Sequence, residues 1–184
     1  MTYYVSNSGS DGNDGLSPAT SWATIAKVNG HSFSAGDSIL LRRGDTFTDA
    51  GLTPGQSGSS GNPITFGAYG TGADPIIAPS AATAMTVSSR SYVTVRNIKL
   101  VRDGTSTSDR AVRSTGSCTG LIFQFLTLDS PGYGHDCSGT MTDCLWEDIT
   151  ILTRATQTQA IYLFGSGNTG ITVRRITCGK SGVY

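Results

Sequence analysis

The sequence predicts an all-β fold, namely a right-handed single-stranded parallel β-helix with three strands per coil and a short N-terminal capping helix. Three observations predict it: an unusual composition, an eight-residue apolar repeat, and a second repeat whose spacings follow those of the first. Charged residues make up only 14% of the 184 residues, and 24 residues are glycine. Few charges, many glycines and recurring Ser and Thr are typical of short strands joined by tight turns.

The eight-residue repeat occurs four times without gaps, and its copies start 28, 23 and 27 residues apart at Val93, Leu121, Cys144 and Ile171. The first, third, sixth and eighth positions are apolar in every copy. Side chains alternate across a strand, so these positions face one interior only if the chain bends after the fourth residue. Asn97 and Asp148 stand at that bend, where Asn and Asp tolerate unusual backbone angles.

A third strand per coil is predicted by a second alignment. Its copies are spaced by 23, 26 and 22 residues: Ala111–Arg113, Gly134–Asp136, Ala160–Tyr162 and Gly182–Tyr184. In each three-residue copy the first residue is small and the third is polar. Stacking such coils about 4.8 Å apart would form three parallel sheets around a dry core.

The domain organisation follows from the ends of this pattern. Residues 1–35 are predicted to form an N-terminal cap of strand, turn and short helix, because Trp22, Ile25 and Val28 lie on one helical stripe over residues 21–28. Residues 36–184 are predicted to form the coils. The glycine- and serine-rich stretch 55–62 is interpreted as a turn, with a flexible linker as the alternative. The last coil stops at Tyr184, so we expect further coils or another segment to cover it.

Several partners and sites are not expected. The formal net charge is zero and no cluster of Lys and Arg stands out, so nucleic acid is not a predicted partner. No apolar run reaches about 18 residues and no secretory signal follows Met1, so no membrane span or leader is predicted.

Cysteine spacings of 19, 7 and 34 match no zinc motif, which favours free thiols, with one disulfide as the alternative. The segment 11–15 lacks the spacing of a calcium loop and is interpreted as a polar turn.

Parts of the sequence also resemble a known superfamily. The segments that carry the likeness are Tyr3–Ser6, Gly9–Gly15, Ser17-Pro18, Trp22–Ile25, Ala35–Ile39, Ala160–Asn168 and Val173–Ile176. They are similar to the pectate-lyase-like right-handed β-helix proteins, which include polysaccharide lyases, glycoside hydrolases and bacteriophage tailspikes. The resemblance implies a polysaccharide partner, substrate along the outside of one sheet, and a virion or extracellular location. Its phage members imply a homotrimer.

The matching outer face is predicted from the third-strand alignment. Its outward residues are Arg113, Asp136, Tyr162 and Tyr184, and together they would form a ladder of aromatic rings and charges that suits a sugar chain. The alternative is a solvated face whose side chains pair with one another. Arg113 and Asp136 are also the candidates for catalysis, although no complete catalytic set is visible. No resident metal or cofactor is predicted, and Ca²⁺ is expected only for a lyase. His135, at an inward position, is interpreted as a core histidine rather than a base.

These observations support three functional hypotheses. The leading one is a polysaccharide-engaging β-helix module of a bacteriophage tailspike or other virion protein. The alternative is a polysaccharide lyase or glycoside hydrolase acting on acidic polysaccharide, with its leader and C-terminal coils removed. The third is a scaffold without a ligand.

Overall fold

The computed structural model describes residues 1–80, 83–106, 108–153 and 159–180. Tyr184 and the predicted strand Gly182–Tyr184 lie outside the described residues. The strands are β1 (Thr2–Val5), β2 (Ser38–Arg42), β3 (Thr46–Phe47), β4 (Ile64–Tyr69), β5 (Ile76–Ile77), β6 (Met85–Ser88), β7 (Val93–Arg96), β8 (Lys99–Val101), β9 (Arg110–Thr115), β10 (Ser117–Thr119), β11 (Ile122–Ser130), β12 (Tyr133–Cys137), β13 (Thr140–Thr142), β14 (Leu145–Thr153), β15 (Gln159–Leu163) and β16 (Thr172–Lys180). The helical elements are a 3-10 turn (Pro18–Thr20) and the helix α1 (Ile25–Gly30).

All named strands pair in parallel, and the pairing defines three long stacks. Sheet 1 runs β1-β2-β4-β7 and continues through the first halves of β11, β14 and β16. Sheet 2 runs β3-β5-β8 and continues through the second halves of the same three strands. Sheet 3 runs β6-β9-β12-β15. A short pair, β10 and β13, lies between sheet 3 and the next strand of sheet 1. The prediction of a parallel β-helix is therefore confirmed.

The corner between sheets 1 and 2 is a single residue in the left-handed backbone region. Asn97, Phe125, Asp148 and Arg175 occupy this position in successive coils, with φ of 55°, 52°, 53° and 54°. The predicted bend at Asn97 and Asp148 is confirmed. A left-handed residue reverses the alternation of side chains, so apolar residues on both sides of it face inward.

The inward positions of the eight-residue repeat contribute much of the core. In the copies that start at Val93, Leu121 and Cys144, all of these side chains are 2% exposed or less. In the fourth copy, Val173 is 45% exposed and Cys178 is also exposed. This copy lies in β16, whose only strand partner within the described residues is β14, so one side of it has no described neighbour.

The N-terminal region differs from the prediction in where the helix begins. Trp22 is not on the helix, because its backbone forms a parallel bridge with Val5 and exchanges hydrogen bonds with Tyr4 and Ser6. The helix α1 begins at Ile25, where the Thr24 hydroxyl accepts a hydrogen bond from the Lys27 amide at 3.0 Å. A cap boundary at residue 35 stays a prediction, while β1 already pairs with β2 of sheet 1.

Polar turns brace this region. The Asp11 carboxylate accepts hydrogen bonds from the amides of Ala23 and Thr24 at 2.8 and 3.1 Å and from the Thr24 hydroxyl at 2.7 Å. The segment 11–15 is thus a structural turn. The stretch 55–62 connects strands of the same solenoid, since β2 and β4 on either side of it pair directly. No helix in the described ranges is long and apolar enough to cross a membrane.

Candidate functional site

The outer face of sheet 3 brings three of the four predicted site residues together. Asp136 in β12 pairs in register with Arg113 of β9 on one side and with Tyr162 of β15 on the other. The three side chains therefore stand in one row across adjacent coils, about 4.8 Å apart. Tyr184, the fourth predicted member, lies outside the described residues. The structure gives the predicted register, whereas the binding role of these residues stays a prediction.

The charges in this row are not equivalent. Asp136 is only 4% exposed and forms an ion pair with Nε of Arg110. Arg113 is exposed, and no carboxylate of the described residues forms an ion pair with it. Mutual pairing of the face, which was the alternative interpretation, thus applies to Asp136 but leaves the Arg113 guanidinium available to an external anion or hydroxyl.

Three aromatic side chains line the same face, and we call them the aromatic strip: Tyr133, Tyr162 and Phe164. The ring centroids of Tyr133 and Tyr162 are 5.7 Å apart at an interplanar angle of 41°. Tyr162 and Phe164 are also 5.7 Å apart but nearly parallel, at 10°. Phe164 is 68% exposed. The guanidinium of Arg110 lies 5.2 Å from the Tyr133 centroid and so links the ion pair to the strip.

Sequence reasoning missed Arg110, Tyr133 and Phe164. Phe164 was accessible to it, because a residue two positions after Tyr162 points to the same face of a strand. Arg110 and Tyr133 were not, since the simple alternation fails beside them: Ala111 and Val112 are adjacent in sequence, yet both are fully buried. The chain turns a corner at that point, and only the fold reveals which residues precede it.

His135 lies directly beneath this face and is fully buried. Its Nδ1 accepts a hydrogen bond from Trp146 Nε1 at 2.9 Å, and its Nε2 lies 2.8 Å from the Ser114 hydroxyl. Because the indole nitrogen can only donate, the ring proton must reside on Nε2 and be donated to Ser114. Burial lowers the pKa of His135 to about 3. His135 is therefore a neutral core residue, as interpreted from the sequence, and it cannot take a proton from Ser114.

Aromatic rings and charged groups lie side by side on this face. The face offers the aromatic strip, the Arg113 guanidinium, which has no ion-pair partner among the described residues, and the Asp136 carboxylate, which is already paired with Arg110. Within the described ranges, no three or more His, Cys, Asp or Glu residues are grouped to hold a metal ion. Ring stacking combined with charged hydrogen bonds is the chemistry of sugar recognition.

Comparison with known proteins identifies the fold. The sequence matches no protein-family model and no curated protein. Its structure is similar to that of GH136 lacto-N-biosidase from Eubacterium ramulus, with a TM-score of 0.70, 19% identity, and coverage of 99% of this chain and 42% of that one. A rhamnogalacturonan lyase gives a TM-score of 0.69 at 15% identity, covering 97% of this chain and 51% of that one. Pectate lyase Pel9A gives 0.64 at 16% identity, covering 95% and 46%.

These similarities confirm the pectate-lyase-like parallel β-helix fold that the sequence resemblance implied. At such low identity they establish the fold alone. The chain spans about half the length of these proteins or less.

Proposed function

We propose that this chain is a polysaccharide-binding module and that the outer face of sheet 3 is its binding surface. The observation that carries the proposal is the parallel register that aligns Arg113, Asp136 and Tyr162 in one row, which shares Tyr162 with the aromatic strip. Each coil adds one residue to this row at a regular spacing. A polymer of sugar rings is a ligand that also repeats at a regular spacing.

The chemistry of the face supports this assignment. Tyr162 and Phe164 offer nearly parallel aromatic rings against which a sugar face can pack. Arg113 offers an exposed guanidinium that can hydrogen-bond two oxygens of a carboxylate or of neighbouring hydroxyls. The structures to which this chain is similar bear the names of a lacto-N-biosidase, a rhamnogalacturonan lyase and a pectate lyase, which favours a carbohydrate as the ligand.

Binding is tested by electrophoresis of the native protein through gels that contain pectate, alginate, capsular polysaccharides or neutral xylan. We expect at least one polysaccharide to retard the wild-type protein and to retard the Arg113→Ala variant less. Arg42→Ala is the matched control, because Arg42 is an exposed arginine on sheet 1. Equal retardation of both variants would show that binding occurs elsewhere, and no retardation in any gel would favour the ligand-free scaffold.

A second candidate function is cleavage of an acidic polysaccharide, favoured by the likeness to two lyase structures. Arg113 would serve as the base, with Asp136 adjacent to it in the same row. The test is the ultraviolet absorbance of unsaturated products from pectate or alginate, with and without added Ca²⁺. Product that forms with the wild type but not with Arg113→Ala would establish a lyase, and its complete absence would rule out lyase cleavage of these two polysaccharides.

The association with a bacteriophage tailspike or other virion protein rests on the sequence resemblance, as do the homotrimer and the virion or extracellular location. We propose them as the biological setting of the module. Sedimentation equilibrium tests the trimer, which should have three times the 19.1 kDa mass of the chain. A monomeric mass at all concentrations would remove this part of the proposal.

A further inference from the structure

The corner between sheets 1 and 2 presents an exposed aromatic ring on an unfavourable backbone. Phe125 has a φ of 52° and is 50% exposed. Bulky residues rarely adopt positive φ, and burial in the core does not offset the cost at this position. The corresponding residues of the neighbouring coils are Asn97 and Asp148, whose side-chain types tolerate this backbone. The backbone cost of Phe125 is thus not offset by burial of its ring, which points to a role for the ring at the surface.

Two polar groups beside Phe125 are available for a ligand. Arg96, in register with Gln124, is exposed and forms no ion pair within the described residues. Its side chain lies beside Gly67 of the preceding coil. The side-chain amide of Asn97 makes no hydrogen bond to another described residue, since only its backbone amide is bonded, to Gln124 at 3.3 Å. Asn97 and Phe125 therefore occupy this corner in adjacent coils, and Arg96 immediately precedes it in the first of them.

The acidic groups next to this corner are already neutralised. Glu147 accepts hydrogen bonds from Gln124 at 2.7 Å and from Arg174 at 2.6 Å, and it also pairs with Arg175. Asp148 receives two hydrogen bonds from Arg175, at 2.6 and 2.9 Å. Neither carboxylate therefore pairs with Arg96. The positive charge of the Arg96 guanidinium can attract an external anion.

We propose that Phe125, Arg96 and Asn97 form a second sugar-binding site, selective for a sugar ring that carries a carboxylate or sulfate group. The Phe125 ring would lie under the sugar face, the Arg96 guanidinium would bind the acid, and the Asn97 amide would bind a hydroxyl. This site lies at the corner between sheets 1 and 2, away from sheet 3. Binding at this site can therefore be tested independently of binding to the outer face of sheet 3.

The test is a titration of ¹⁵N-labelled protein with a trimer of galacturonic acid and, separately, with a neutral trimer of galactose. We expect the acidic trimer to shift the backbone amides of residues 96, 97 and 124–126 saturably. The shifts should persist in Tyr162→Ala, which removes a ring from sheet 3 only. Arg96→Ala should abolish the preference for the acidic trimer.

The Phe125→Asn variant distinguishes a role of Phe125 in binding from a residue that only destabilises the corner. Asn tolerates positive φ, so the variant should raise the melting temperature by about 2–4 °C. It should also weaken binding at the corner by about two- to tenfold. A higher melting temperature with unchanged shifts would overturn the proposal. So would loss of a self-associated species in sedimentation, because Phe125 would then contact a second copy of the chain.

Discussion

The buried histidine gives a prediction that can be worked out in detail. His135 is neutral in the folded chain, and burial lowers its pKa from 6.5 to about 3. The unfolded chain binds a proton near pH 6.5, whereas the folded chain does not until far lower pH. Stability from this depressed pKa is therefore fully present above pH 6.5 and is lost as the pH falls toward 3.

The size of this effect follows from the two pKa values. Between pH 7 and pH 5 the free energy of unfolding should fall by about 2 kcal/mol, at close to 1.4 kcal/mol per pH unit below pH 6. Urea unfolding at the two pH values measures the change directly. The ring is enclosed by Phe123, Trp146 and Ser114, none of which titrates in this interval.

Two variants assign the effect to His135. His135→Val should remove the pH dependence, since Val112 occupies the equivalent position in the preceding coil. It should also lower stability at pH 7 by about 1–3 kcal/mol, because Trp146 and Ser114 lose their partner. His31→Asn alters the other of the two histidines and should keep the wild-type slope. A wild-type loss below about 0.5 kcal/mol, or an unchanged slope in His135→Val, would refute the reasoning.

Three further predictions concern the packing and the ends of the coils. Gly139→Ala should lower the melting temperature by about 4 °C or more, because a Cβ there would overlap the Gly116 carbonyl oxygen, whereas Gly55→Ala has open space and should leave it unchanged. A chromogenic thiol reagent should modify one of the four cysteines in the native protein, the exposed Cys178, and all four after unfolding; three reactive native thiols would contradict the burial. Hydrogen bonds, chiefly from Arg174, lower the pKa of Glu147 from 4.5 to about 2, so Glu147→Gln should lower the melting temperature at pH 7. That deficit should shrink as the pH falls from 4.5 toward 2, and a deficit independent of pH would argue against the ion network.

The sequence predicted most of the core because two simple periods govern it. Alternation identifies the inward residues from Val93 to Ile151, and the break in alternation at Asn97 identifies the corner. The same rule also predicted the register of Arg113, Asp136 and Tyr162. These features depend on neighbours along the chain, which a sequence displays directly.

Other features depend on contacts that alternation does not describe. Phe125 and Arg175 adopt left-handed backbone although neither residue type favours it, since the stacking of coils imposes the corner. Trp22 has helical spacing with Ile25 but pairs as a bridge to Val5, because the first coil needs a strand partner there. Arg110 reaches Asp136 only because the chain turns at two consecutive buried residues.

The central claim is that the outer face of sheet 3 binds polysaccharide through its row of charged and aromatic side chains. Calorimetric titration with oligomers of the polysaccharide that retards the protein most strongly tests it directly. Tyr162→Ala should weaken binding by about tenfold, or about 1.4 kcal/mol. The matched control Tyr4→Ala removes a half-buried tyrosine from sheet 1 and should bind like the wild type. Equal affinities for Tyr162→Ala and Tyr4→Ala would contradict the claim.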